Sequence, residues 1–139
     1  LLGVRGFPGN AIYHRNSMFI PSHTTRVFVP EVDMISSPGY NPAKRIEGGN
    51  YSGIDLHRIV TNLCVMDFGG PDNQIRVLSL HPGVTFEEVQ EATGFELARA
   101  DNITETPLPG AEELEIIRKL DPTNIRATVI KDNPPAARG

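Results

Sequence analysis

The stretch IRVLSL at 75–80, followed at once by HPGVTFEEVQEATG, constrains this chain more than any other. A strand-length apolar run ends at Pro82 and Gly83, and Thr85 then stands three residues ahead of Glu88. That spacing lets each side chain satisfy a backbone N–H at a helix start, and Val84 and Val89 flank it as a hydrophobic staple. Gly94 is placed to end the helix in the left-handed conformation. A strand that runs into a capped helix and then into FELARA belongs to an α/β domain rather than a bundle or a sandwich.

Other elements extend the pattern. SMFIP and RVFVPEVDMIS read as strands, with Pro30 marking an edge or bulge in the second. HRIVTNLCVMDF, the turn GGPDNQ and IRVLSLHPG read as two strands joined in a hairpin. AEELEIIRKL forms a second helix with Leu114, Ile117 and Leu120 on one face, acidic residues early and Arg118 and Lys119 late, as the helix dipole favours. The expectation is an α/β fold with an open mixed sheet, its strands near Val27, Val60, Val77 and Leu97, flanked by helices at 86–93 and 111–120. One domain over 1–130 and a flexible tail at 131–139 complete it. The chain starts at Leu1 on a loop and without Met, so it reads as part of something longer, its sheet incomplete at the N-terminus.

Composition removes several function classes. The 139 residues carry a formal net charge of −4 with both signs interspersed, which gives nucleic acid or an anionic membrane no basic stripe. There is neither an apolar run of about 18 residues nor a leader pattern, so the expected setting is cytoplasmic. The single cysteine, Cys64, lies in an apolar run and reads as a buried small hydrophobe. His14, His23, His57 and His81 share no metal-ligand spacing, so no metal is expected. Asp67-Phe68-Gly69 resembles a kinase magnesium triplet, but without a phosphate loop it reads as a strand end entering a turn. What remains is a set of glycine loops, foremost GVRGFPGN at 3–10. Its glycines permit close backbone approach and Arg5 has little packing reason to stand between them, although from these residues alone a surface turn with a solvated arginine is the stronger reading.

RIVTNLCVMDF, VLSLHPGVTFEEVQEATGFEL and TPLPGAEELEIIRKLDP together resemble, in order and spacing, the C-terminal part of the β subunit of class I coenzyme A transferases. Within that family GVRGFPGN, RVFVPEVD, SPGY and NLCVMDFGGPD are most similar to the β subunit of the actinobacterial branch that hydrolyses a carbocyclic ring of cholesterol-derived acyl-CoA. The resemblance implies a CoA-transferase-like fold, an α-subunit partner in an α2β2 assembly, an acyl-CoA substrate that brings coenzyme A with it, and no permanently bound cofactor. It also implies that Arg5 is catalytic and that Val4, Gly6, Phe7, Pro8, Gly9 and Asn10 form the substrate loop, whose N–H groups meet developing negative charge. The glutamate nucleophile of the transferases would precede Leu1. In the hydrolases an acidic base comes from the α subunit, so the chain alone is expected to be inactive. Pro8 replaces a glycine of the transferase loop and removes one N–H donor. An acyl-CoA:carboxylate CoA-transferase β subunit and a non-catalytic α/β interaction module remain as alternatives, which the upstream sequence would separate.

Overall fold

The computed structural model describes residues 6–128. Val4, Arg5 and the expected tail at 131–139 lie outside the described residues. Five strands form one sheet in sequence order: β1 (Arg15–Ile20), β2 (Asp55–Thr61), β3 (Cys64–Asp67), β4 (Arg76–Leu80) and β5 (Ala98–Glu105). The outer pairs β1–β2 and β4–β5 are parallel, and the two central pairs are antiparallel. Helix α1 (Phe7–Tyr13) precedes the sheet, α2 (Phe86–Glu91) crosses over between β4 and β5, and α3 (Ala111–Leu120) follows. The open mixed sheet flanked by helices stands as expected.

Local chemistry explains the best-defined crossover. Thr85 Oγ1 accepts the Glu88 N–H at 3.2 Å while Glu88 Oε2 accepts the Thr85 N–H at 2.7 Å, so the reciprocal cap is formed. Phe86 and Val89 turn inward onto Ile59, Cys64, Met66 and Val77, and with Phe28 and Leu97 they make one buried cluster. Burying side chains of this size contributes about 1.5–3 kcal/mol each. The inward row alternates with an outward row in which Phe19 faces Val60 and Val60 faces Val65 across three strands. Phe19 is 57% exposed, so this outer face keeps an apolar stripe.

Four local expectations are corrected. The segment around Val27 is no strand: Thr24 O accepts the N–H groups of both Val27 and Phe28 at 2.9 Å, which coils the chain, and Phe28 O is taken by Gly94 N–H at 2.8 Å. HRIVTNLCVMDF is not one strand either. It folds back at Asn62 and Leu63, because Thr61 Oγ1 accepts the N–H groups of Leu63 and Cys64 and closes a tight β2–β3 turn. FELARA becomes a strand only from Ala98 and runs on to Glu105. Gly94 does not end α2 in the left-handed region; Gly39, Gly48 and Gly83 are the described glycines with positive φ.

Gly94 is required for space instead. A Cβ there would lie 2.8 Å from Phe28 O and 3.0 Å from Pro30 Cδ, against backbone that cannot yield cheaply. Gly94→Ala is expected to destabilise the fold by about 1–3 kcal/mol, read by denaturant unfolding. An unchanged midpoint would show that the 28–30 segment does not pack there.

Candidate functional site

The expected substrate loop is mostly a helix. Gly6 is the N-cap of α1, and Phe7, Pro8, Gly9 and Asn10 form its first turn, with Asn10 N–H donating to Gly6 O at 3.0 Å. Pro8 suits the first turn because its fixed φ is helical and its missing N–H has no ladder partner there. Ala11 is 1% exposed and seats the helix on β1 and β2. The reading of Phe7 to Asn10 as an open loop is therefore corrected, while the N–H groups of Phe7 and Gly9 stay outside the helix's own ladder. Nothing lies within 4 Å of a Cβ built on Gly9, so its open side faces free space.

Phe7 forms one wall of an apolar groove of about 260 Å³ with Met18, Val32, Ile35, Leu56 and Phe68. Leu56 and Phe68 also wall a second, polar cleft of about 280 Å³, lined by Tyr40, Asp55, His57, Arg58 and Asp67. The two hollows thus adjoin across these side chains. A bulge creates the polar one: Asn16 faces Leu56 and the next residue, Ser17, faces Arg58, so His57 is the extra residue in a parallel ladder. Such bulges re-aim side chains, and here four successive residues, 55–58, reach one cleft. Tyr40 closes the far side; its hydroxyl accepts the Leu56 N–H at 2.8 Å and its ring meets Phe68 edge-on at 5.7 Å.

Charges in the cleft are assigned. Arg76 grips Asp67 with two bonds, of 3.1 and 2.9 Å, and Gly69 N–H adds a third at 2.9 Å. Burial raises the Asp67 carboxyl, but these bonds and the charges of Arg76 and Arg58 outweigh it and hold the group below the ordinary aspartate range. Asp55 pairs with Arg15 at 2.7 Å. The triplet at 67–69 is therefore a strand end leading to a turn in which Asp72 and Asn73 have positive φ, as read. No group of three or more potential metal ligands occurs among the described residues.

A buried histidine anchors the start of the 21–54 connection. His23 is 4% exposed and stacks on Phe28 at 4.0 Å. Thr93 Oγ1 donates to Val89 O, so it accepts from His23 Nε2 at 2.9 Å; Nδ1 is then the acceptor facing the Thr61 hydroxyl at 3.1 Å, whose one proton it shares with Cys64 O at 3.3 Å. Every polar atom is satisfied by neutral imidazole. Burial lowers its pKa from the usual 6.5 to about 4. Cys64 Sγ lies 3.9 Å from His23 Nδ1, yet the thiol is fully buried and burial raises it to about 11, against a weaker lowering by Thr61. A neutral histidine beside a thiol of that pKa is no nucleophile pair. Cys64 is a core residue, as its sequence context implied.

The IpdB subunit of the cholesterol ring-cleaving hydrolase from Rhodococcus jostii is 47% identical over 133 residues, 91% of this chain and 50% of that protein. The β subunit of the 3-oxoadipate CoA-transferase from Pseudomonas knackmussii is 35% identical over 127 residues, 87% of this chain and 47% of its own length. The chain is homologous to β subunits of the CoA-transferase family. The crystal structure of R. jostii IpdAB superposes with a TM-score of 0.83 at 46% identity, covering 94% of this chain and 53% of that one. This CoA-transferase homologue spans about half the length of the curated relatives it matches. No protein-family model matches the chain.

Of the residues expected at the site, Phe7 lines the apolar groove; sequence reasoning did not single out Arg58 or Tyr40 in the polar cleft, nor the pairing of His23 with Thr61 and Thr93. Nothing in a sequence announces a parallel-strand bulge, and His23 meets Thr61 and Thr93 across separations of 38 and 70 residues. The available hint was His23 itself, a histidine between two apolar runs.

His23 makes stability pH-dependent in a defined window. The unfolded chain binds a proton below pH 6.5 and the folded one only near 4, so this contribution is complete above 6.5 and lost as pH falls to 4. The loss is on the order of 2–3 kcal/mol. Unfolding of wild type and His23→Gln measured between pH 7 and 4 should show the gap between them closing with acid. Parallel curves would show that His23 is not neutral in the fold.

Proposed function

We propose that this chain is the β-subunit portion of a cytoplasmic CoA-transferase-family hydrolase that opens a carbocyclic ring of a steroid-derived acyl-CoA, working with an α-subunit partner in an α2β2 assembly. The observation that carries the reading is the apolar groove walled by Phe7 of α1, Met18, Leu56 and Phe68, next to the helix turn that the resemblance assigns to the substrate. It offers an alicyclic ring a dry surface beside backbone N–H groups. The 47% identity to an IpdB chain, against 35% to a CoA-transferase β chain, supports the hydrolytic branch over the transferase. Pro8 supports it as well, since a proline in that turn supplies no N–H to a transferase-type oxyanion site.

In this reading a partner carboxylate activates water, which adds to one carbonyl of a cyclic β-diketone. The ring carbon–carbon bond breaks, and its electron pair passes to the neighbouring carbonyl as an enolate. Arg5 and the first-turn N–H groups hold that negative oxygen, and the proton taken from water returns to carbon. One water is consumed, one carboxylate forms, and the thioester survives. Coenzyme A enters as part of the substrate, with no resident cofactor.

Arg5→Ala in the complete two-subunit enzyme is expected to lower turnover on the order of 100-fold or more while leaving the fold intact. Arg5→Lys should rescue little, because the ammonium lacks the planar fork. Gly9→Ala separates chemistry from folding in the other direction: an added methyl in a helical turn with open space around it should raise stability by about 0.5–1 kcal/mol yet reduce turnover by crowding the substrate oxygen. Wild-type kinetics for Arg5→Ala and Gly9→Ala on a ring-containing CoA ester would overturn the reading. Ping-pong exchange of coenzyme A between acids would replace it with the CoA-transferase one.

A further inference from the structure

Helix α3 carries one bare face. Residues 113, 116, 117 and 120 recur at the spacing of a single helical stripe, and on it Ile116 is 52% and Leu120 79% exposed. Within α3 only Leu114 is half-buried, so the helix meets its own chain along that side and turns the stripe outward. The arm at 107–109 runs alongside and, with Glu113, Ile116 and Ile117, walls a groove of about 620 Å³, at which Leu108 stands 76% exposed. Pro107 and Pro109 fix the backbone of that arm, so it keeps its course beside the helix. The charges beside the stripe are ordered. Glu112 and Lys119 lie two turns apart on one flank, and neither takes part in an ion pair among the described residues.

We propose that this face pairs with the same face of a second copy of the chain, the two α3 helices lying antiparallel about a twofold axis between Ile116 and Ile117. That register sets Leu120 of the second copy opposite Glu113, where it enters the groove beside Leu108. On the flank it sets Glu112 against Lys119 of the second copy, twice by symmetry. Parallel helices would oppose glutamate to glutamate and lysine to lysine, so the charge pattern selects the antiparallel direction. Opposed helix dipoles favour the same choice. A contact of one patch with its own copy closes on itself, which makes the product a dimer and not a filament. About three turns of helix and a short arm offer less than the surface of a standard stable interface, so the isolated chain pairs weakly. The pairing does not rest on the ring-opening reading; within the α2β2 assembly proposed above it is the contact between the two β portions.

Sedimentation velocity on the full chain, from low micromolar to millimolar concentration, tests the pairing. The wild type is expected to pass reversibly from monomer to dimer with a dissociation constant on the order of 100 μM. Leu120→Glu should stay monomeric throughout with an unchanged circular dichroism spectrum, since the side chain it replaces is exposed in the single chain. Glu112→Lys and Lys119→Glu should each weaken the dimer roughly five-fold or more, because each turns two attractive pairs into two repulsive ones. The double swap, Glu112→Lys with Lys119→Glu, should restore it, and so should an equimolar mixture of the two single variants. A wild type that is monomeric at every concentration overturns the proposal, as does a dimer that survives Leu120→Glu or a double swap that pairs no better than the singles. A monomeric wild type whose Leu120→Glu variant fails to join an α subunit gives the face to that subunit instead. An inert Arg5→Ala result in the enzyme sinks the ring-opening reading and leaves the dimer to stand or fall by itself.

Discussion

The hydroxyl of Thr61 is the point on which the rest of the molecule hangs. As an acceptor it takes the N–H groups of Leu63 and Cys64 and forces the chain to reverse between β2 and β3. Its one proton lies between Cys64 O and His23 Nδ1, and the other nitrogen of that ring bonds onward to Thr93 beyond α2. The carbonyl of the same residue accepts from His81 Nε2 at 2.9 Å, and the other nitrogen of that ring meets Thr106 at 3.0 Å. One residue thus ties the hairpin turn, the end of β4, the start of the 21–54 connection and the crossover helix. The need is clear from topology. β1 and β2 are parallel, so the chain must travel the length of the sheet between them, and it does so without a helix or strand of its own apart from the short turn Pro42–Lys44. Side-chain bonds replace the ladder that such a segment lacks.

That connection also builds the site. Val32, Ile35 and Tyr40 come from it, Phe7 from α1, Leu56 and Arg58 from β2, and Phe68 from the end of β3. The groove is therefore only as well formed as the anchoring of the connection at His23, Phe28 and Gly94. Phe28 takes part twice, through its ring on His23 and through its carbonyl on Gly94 N–H. Such an arrangement couples the shape of the binding surface to a buried polar cluster on the other side of the segment. Buried polar clusters of this kind set position sharply because a partly broken one leaves unpaired groups in a dry interior.

What could be read in the sequence was whatever local chemistry decides. The Thr85–Glu88 cap, the span of α3 and the turn after Asp67 follow from residues close in sequence, and each is present. What could not be read was decided by distant partners. Val27 and Val29 alternate like a strand, but their neighbours' hydrogen bonds go to Thr24 and Gly94. Gly3 to Asn10 reads as a loop because glycine and proline usually mark one, yet the buried Ala11 secures Phe7 to Tyr13 as a helix against β1 and β2. The apolar stripe on α3 is legible as a stripe but not as an uncovered one: Ile117 is 38% and Leu120 79% exposed. Amphipathic spacing states that a face wants cover, not which surface supplies it.

The electrostatics of the cleft bear on how the proposed chemistry would be divided. A general base for water must hold its proton affinity near the working pH and keep a lone pair free. Asp67 fails on both counts, since two guanidinium bonds and one N–H occupy it and hold its pKa below the ordinary range. Asp55 is tied to Arg15, and His23, though neutral, is buried with both nitrogens engaged. These three groups are thus fitted for shape and for charge, and none for taking a proton from water. A surface that supplies an apolar wall and helix-turn N–H groups is equipped to hold an anion as it forms. The proton-accepting carboxylate of the proposed reaction is therefore none of these three groups.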